Sequence, residues 1–162
     1  MLKFKNPTFE ETANKEWLVA NGIGGYASAT LNGSNSRRYH GLLVASLNPP
    51  TQRQVLVSKI EEAISCKRDT WLDFSTNQYP NTVYPNGAQY IKSFDRKPFP
   101  TWNIQQGNAL IEKTIFMVYG SNTTVVEYKN IGKSTYELSL TPLLTNRDYP
   151  VSYTHLTLPT KA

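Results

Sequence analysis

Cysteine is nearly missing from this chain: Cys66 is the only one in 162 residues. A single thiol excludes a disulfide framework and a Cys-x-x-Cys metal site. No histidine stands near it in sequence to generate a thiolate, so an ordinary side chain is expected there rather than a nucleophile. Long apolar runs are missing as well. Nothing approaches the ~20 consecutive apolar residues of a membrane-spanning helix, and the N-terminal stretch MLKFKNPTFEETANKEW has no apolar segment of signal-peptide length. The expectation is a cytoplasmic, reduced, soluble protein with no membrane partner. Charge of one sign is not concentrated anywhere. The net charge is +5, but the basic residues are scattered, whereas a nucleic-acid footprint needs them on one face. No nucleic-acid partner, metal or cofactor is therefore expected.

Tyrosine is abundant, at 10, beside 3 Trp and 6 Phe, and there are 10 Pro and 9 Gly. Aromatic and β-branched residues suit a pleated, half-buried surface, and proline and glycine punctuate it with turns. The length fits about one domain. Along the chain, short apolar runs alternate with turn signals: EWLVA stops at Asn21-Gly22, YASATL at Asn32-Gly33, and YHGLLVASL at Asn48-Pro49-Pro50. QVLVSKIEEAIS starts as an alternating strand that puts Val55, Val57 and Lys59 on one face. LIEKTIFMV carries apolar residues on both faces, which implies burial on both sides. In YELSLTPLL, Tyr136, Leu138, Leu140 and Pro142 alternate with Glu137, Ser139 and Thr141, the pattern of a one-sided antiparallel strand. No helical pattern of ten or more residues stands out. Many short strands at close spacing predict an all-β fold, an antiparallel sandwich or barrel. There is no internal repeat and no linker.

One region concentrates chemistry. Gly22-Ile23-Gly24-Gly25-Tyr26-Ala27 satisfies the pattern G-x-G-x-x-G/A. A dinucleotide fingerprint needs a strand, the glycines, and then a helix whose N-terminus meets the pyrophosphate. EWLVA supplies the strand, but YASATL is too short for the helix, and the acidic residue expected about twenty positions on is replaced by GLLVASL. The match is therefore read as accidental, and Gly22, Gly24 and Gly25 as glycines that shape a loop, with Gly41 opening the following strand. Between them lie Arg37-Arg38-Tyr39-His40. Two planar guanidinium forks, a stacking face and an imidazole that titrates near neutrality suit a sugar or carboxylate ligand. The same residues also suit a structural role, with one Arg paired to a carboxylate and His40 hydrogen-bonded in place. Both readings stand open at this level.

The end of the chain is of a different kind. Residues 151–160 back-translate into one reading frame of a transposase adapter used in short-read sequencing libraries. Residues 150–162 are accordingly expected to be a non-native tail, with Pro150 encoded by a hybrid codon. His40 is then the only native histidine, and the native sequence of a truncated reading frame ends near Tyr149.

EWLVANGIGGYASATLNGSNSRRYHGLLVASLNPP, followed by RQVLVSKIEEAI, YPNGAQYIKSFDRKPFPTWNI and LTPLLTNRDY, resembles the N-terminal domain of bacterial and archaeal glycogen debranching enzymes of the amylo-α-1,6-glucosidase type. The resemblance covers nearly all of residues 16–149. Members of that family usually place His after Arg-Asp-Tyr, where Pro150 stands here, and His and Pro codons share their first base. The resemblance implies a galactose-mutarotase-like β-supersandwich, incomplete in residues 1–149, that precedes a catalytic (α/α) barrel absent from this chain. It implies an α-glucan partner for the parent enzyme, with Arg37, Arg38, Tyr39 and His40 as candidate glucan contacts. Trp102 is a further candidate, as a stacking platform, although a core position suits tryptophan better.

Glycoside hydrolysis needs two carboxyl groups across the scissile bond, one of them protonated. The 12 acidic residues are mostly isolated. Glu61 and Glu62 are adjacent but, on a strand, point to opposite faces. Asp95 and Asp148 each sit beside an Arg, which disfavours a general acid. No catalytic residue is expected here, and a stand-alone carbohydrate-binding module is the alternative to an enzyme fragment.

Overall fold

The computed structural model describes residues 1–67 and 70–149. The segment read as an adapter-derived tail lies outside them. In chain order the elements are β1 (Leu2–Lys3), α1 (Phe9–Ala13), β2 (Glu16–Ala20), β3 (Tyr26–Thr30), β4 (Gly41–Asn48), β5 (Thr51–Lys67), β6 (Thr70–Asp73), β7 (Thr76–Tyr79), β8 (Thr82–Asn86), a 3₁₀ turn (Gly87–Tyr90), β9 (Ile91–Asp95), β10 (Thr101–Gln106), β11 (Ala109–Met117), β12 (Thr124–Asn130) and β13 (Glu137–Asp148). One sheet runs β1-β9-β10-β11-β12. The other runs β13-β5-β4-β3-β2, with β6 also paired to β5, and β7 and β8 form a separate hairpin. Each pairing is antiparallel.

The two large sheets share one core. Trp17, Ala27, Ala29, Leu31 and Ile64 from the second sheet and its turns meet Phe94, Trp102, Ile104, Ile111, Ile115 and Met117 from the first. This is an all-β antiparallel sandwich. The alternation in LIEKTIFMV is borne out on one side, since Ile111, Ile115 and Met117 point into the core. Leu110, Glu112, Thr114 and Phe116 on the other side are half-buried.

Two details depart from the sequence pattern. Val55 is buried as expected, but further along β5 it is Glu62 and Ile64 that point inward. Lys59 pairs with Leu143 while Val57 pairs with Leu144, so Ser58 has no partner in the ladder. The ladder with β4 shifts in the same stretch, with Leu43 opposite Val57 and Val44 opposite Val55, so the inward face passes from odd to even positions and Val55 and Lys59 do not share a face. In β13 only Tyr136, just before it, and Leu138 pack on the core. Leu140 is 42% exposed, because β13 is the edge strand of its sheet.

The helix α1 is short but well specified. Thr8 accepts a hydrogen bond from the Glu11 amide, and Glu11 accepts one from the Thr8 amide. Thr8 and Glu11 form a capping box.

Candidate functional site

The loop between β2 and β3 is built around Asn21, whose side chain is fully buried. Its Oδ1 accepts from the amides of Ile23 (3.1 Å) and Gly25 (2.9 Å), while its Nδ2 donates to Ser121 O and Asn122 Oδ1, both at 3.0 Å. The Gly120 amide returns a bond to Asn21 O at 2.7 Å. The turn between β11 and β12 thus sits on the glycine loop. Gly22 and Gly24 lie at φ +81° and +97°. A Cβ on Gly22 would stand 2.4 Å from the Tyr119 ring, and one on Gly24 would stand 2.6 Å from Pro50 O. The glycines serve close backbone packing. A strand follows Gly25 rather than a helix, so no helix N-terminus is present there to receive a pyrophosphate.

Arg37, Arg38, Tyr39 and His40 form the turn leading into β4, and each of their carbonyl oxygens is held. Arg37 O accepts from the His40 amide at 3.0 Å. Arg38 O accepts from Arg147 Nη1 at 2.6 Å, Tyr39 O from the Tyr26 hydroxyl at 2.8 Å, and His40 O from Arg147 Nη2 at 3.4 Å. Arg147 and Tyr149 come from the end of β13, so two distant stretches that carry the family resemblance meet here. Tyr39 stacks on Tyr149 with ring centroids 6.0 Å apart, and Tyr26 meets Tyr149 edge-on at 6.2 Å. Arg53 lies 5.8 Å from the Tyr149 ring centroid and donates from Nε to Gly24 O at 2.7 Å. Burial pushes the Tyr26 hydroxyl well above its ordinary range and Arg147 below its own. Tyr26 thus stays a hydrogen-bond donor at any physiological pH.

The side chains of the turn diverge. Arg37 is exposed and forms an ion pair with Glu16. It borders a surface hollow of about 340 Å³ that is also walled by Glu16, Ser36 and Gln78. Arg38 and Tyr39 are exposed. His40 is not: its ring is only 1% exposed. His40 Nδ1 accepts from the Arg37 amide at 3.3 Å, so the neutral ring carries its proton on Nε2. That atom stands 3.7 Å from Glu16 Oε1, beyond hydrogen-bond reach. Burial lowers the His40 pKa, with the Glu16 carboxylate opposing that shift. Of the two roles left open for His40, this geometry matches the structural one: its ring is inside the protein and braces the turn.

Trp102 occupies the core position that suits tryptophan better. It is 4% exposed, stacks edge-on against Trp17 at 5.4 Å, and donates its indole N–H to Leu31 O at 2.8 Å. It lines an interior crevice of about 60 Å³ between the sheets, shared with Glu62 and Lys113. There Lys113 Nζ lies 2.5 Å from Glu62 Oε1, and the Tyr128 hydroxyl donates to the same oxygen. Burial and the neighbouring carboxylate push the Tyr128 hydroxyl far up. Neither this buried ion pair nor the partners of the Arg37–His40 turn had a signal in the local sequence, since each joins strands far apart in the chain.

An antiparallel sandwich whose glycine loop leads into a strand is not a dinucleotide-binding fold. Residues 15–157 match the family model described as glycogen debranching enzyme N terminal. The chain belongs to that family. No curated protein and no solved structure matches it. Among the described residues, no helix is long and apolar enough to cross a membrane.

Proposed function

We propose that this chain is the non-catalytic N-terminal β-sandwich of an enzyme that hydrolyses α-1,6-glucosidic branch linkages in glycogen-like glucans, and that the Arg37–Tyr39 turn contacts the glucan. The family match supports the parent activity. The geometry of the turn supports the contact. Because the backbone is held by Tyr26 and Arg147, Arg37, Arg38 and Tyr39 project from a rigid base, and little ordering cost falls on binding. Arg37 stands beside a hollow whose Glu16, Ser36 and Gln78 offer acceptors and donors to sugar hydroxyls. The low cysteine content supports a cytoplasmic setting.

Hydrolysis is assigned to a separate catalytic domain of the parent enzyme. Among the described residues the adjacent pair Glu61 and Glu62 lies on opposite sides of β5, with Glu62 committed to Lys113 inside the sandwich. A pair flanking one glycosidic bond needs both carboxyls to reach it.

Co-sedimentation of the chain with glycogen, together with a glucose-release assay on a branched glucan, tests this reading. Retention on glycogen without glucose release is expected. Glucose release would overturn the non-catalytic assignment, and a lack of retention would overturn the glucan contact.

A further inference from the structure

Trp71 is one of three tryptophans in the chain, and it is placed unlike the others. Trp17 and Trp102 are buried in the core, whereas Trp71 on β6 is 48% exposed. Its strand pairs with the far end of β5, in the register Ser65 opposite Trp71 and Ala63 opposite Asp73. On the other edge of β5, Ser139 pairs with Ala63 and Thr141 with Glu61. Side chains two apart on a strand share a face. Glu61, Ala63, Trp71, Asp73, Ser139 and Thr141 therefore lie together on one face of three adjacent strands. Since Glu62 and Ile64 point into the core, this is the outer face.

These residues, together with Glu62 of the central strand, border a depression of about 280 Å³. Its floor is the Ala63 methyl, the smallest side chain in the central row. On one side stand the Trp71 indole and the Asp73 carboxylate, about 7 Å apart along the strand. On the other stand the hydroxyls of Ser139 and Thr141. Glu61 closes one end. Its carboxylate is already oriented, accepting from Asn77 Nδ2 at 3.1 and 3.2 Å and lying 3.2 Å from Lys59 Nζ.

We propose that this face is a second glucan-binding site, which takes a neutral pyranose ring of an α-glucan chain. An indole offers an apolar plane to the C–H face of a sugar ring, and carboxylates and hydroxyls at its margin accept from the ring's hydroxyls. Charge-assisted bonds to a carboxylate are the stronger kind. The acidic rim disfavours an anionic ligand, and the hydroxyls and shallow floor suit a polyol better than an apolar peptide. The site uses none of the residues of the Arg37–Tyr39 turn. It rests on the reading that the chain contacts glucan, and it adds where a second contact lies.

Tryptophan fluorescence gives a direct test. Trp71 is the exposed indole, so maltoheptaose binding at this face should protect the emission from acrylamide quenching. In Trp71→Phe the remaining emission comes from buried Trp17 and Trp102, and the response should vanish. Glycogen affinity, measured separately by affinity electrophoresis, should fall about tenfold in Trp71→Ala and severalfold in Asp73→Asn, an isosteric change at an exposed position that serves should the Trp71 variants fail to fold. If the chain binds glycogen and neither the quenching nor the affinity of these variants changes, the second site is wrong while the glucan reading survives. If the unaltered chain binds no glycogen, both fall.

Discussion

Asn21 Nδ2 donates to Asn122 Oδ1 at 3.0 Å, joining amides 101 residues apart. Asn122 in turn brackets Ser46, accepting from its amide at 3.1 Å and donating to its carbonyl at 2.8 Å, so its side chain acts as a short stretch of strand. These two residues fasten the glycine loop and the β11–β12 turn to β4. Replacing Asn21 by Ala removes four hydrogen bonds inside the protein. A loss of about 2–4 kcal/mol is expected, since the orphaned amides stay buried. Urea denaturation of Asn21→Ala checks it, and a change under about 0.5 kcal/mol, the usual scale of an exposed site, would contradict the account.

The glycines make a graded prediction. Gly24 and Gly33 both have positive φ, at +97° and +84°, but a Cβ on Gly24 would meet backbone of Pro50 at 2.6 Å while one on Gly33 meets nothing within 4 Å. Gly33→Ala should cost about 1–2 kcal/mol, the backbone strain alone. Gly24→Ala adds a clash with backbone and should cost clearly more. Thermal melts of the two variants side by side decide it, and equal losses would show that the close approach to Pro50 is unimportant.

His40 predicts a pH dependence. Burial lowers its pKa in the folded chain, so between the unfolded value of about 6.5 and the folded value the unfolded chain binds more protons. Stability from this group is thus fully present above pH ~6.5 and falls as the solution is acidified below it. Urea midpoints should drop between pH 7.5 and 5.5, a window in which ordinary carboxylates do not titrate. The slope should flatten in His40→Gln. An unchanged slope in that variant would place the titration elsewhere.

The Glu62–Lys113 pair predicts non-additivity. Removing one partner strands the other charge inside the sandwich, which costs about 3–5 kcal/mol for a buried pair. Glu62→Leu should therefore be strongly destabilising, while Glu62→Leu combined with Lys113→Met should recover most of the loss. A double variant as unstable as the sum of the singles would mean the two charges do not compensate each other.

Much of the fold was legible because it depends on local alternation. The stops at Asn21-Gly22 and Asn32-Gly33 end β2 and follow β3, and Asn48-Pro49-Pro50 closes β4. What could not be read depends on partners far away in sequence. The register shifts of β5 between Val55 and Lys59 are set by how it meets β4 and β13, and with them Glu62, not Glu61, faces inward. His40 could be read either as a ligand contact or as a hydrogen-bonded support, because its neighbours Arg37, Arg38 and Tyr39 are polar. Its ring is buried and lies 3.7 Å from Glu16 on β2, a neighbour the local sequence does not give. Arg147 and Tyr149 were visible only as part of a resemblance, and their role as supports of the turn appears only when β13 is laid beside β5.

The central claim is that the Arg37–Tyr39 turn holds glucan, and the most direct measurement is glycogen affinity and melting temperature together for Arg38→Ala. Arg38 is exposed, and its carbonyl, the atom that Arg147 holds, is unchanged by the substitution. The account predicts at least a severalfold loss of glycogen affinity with a stability change no larger than an exposed contact gives, under about 1 kcal/mol. A lowered melting temperature with affinity retained in the folded fraction would contradict it and make the turn a structural element only.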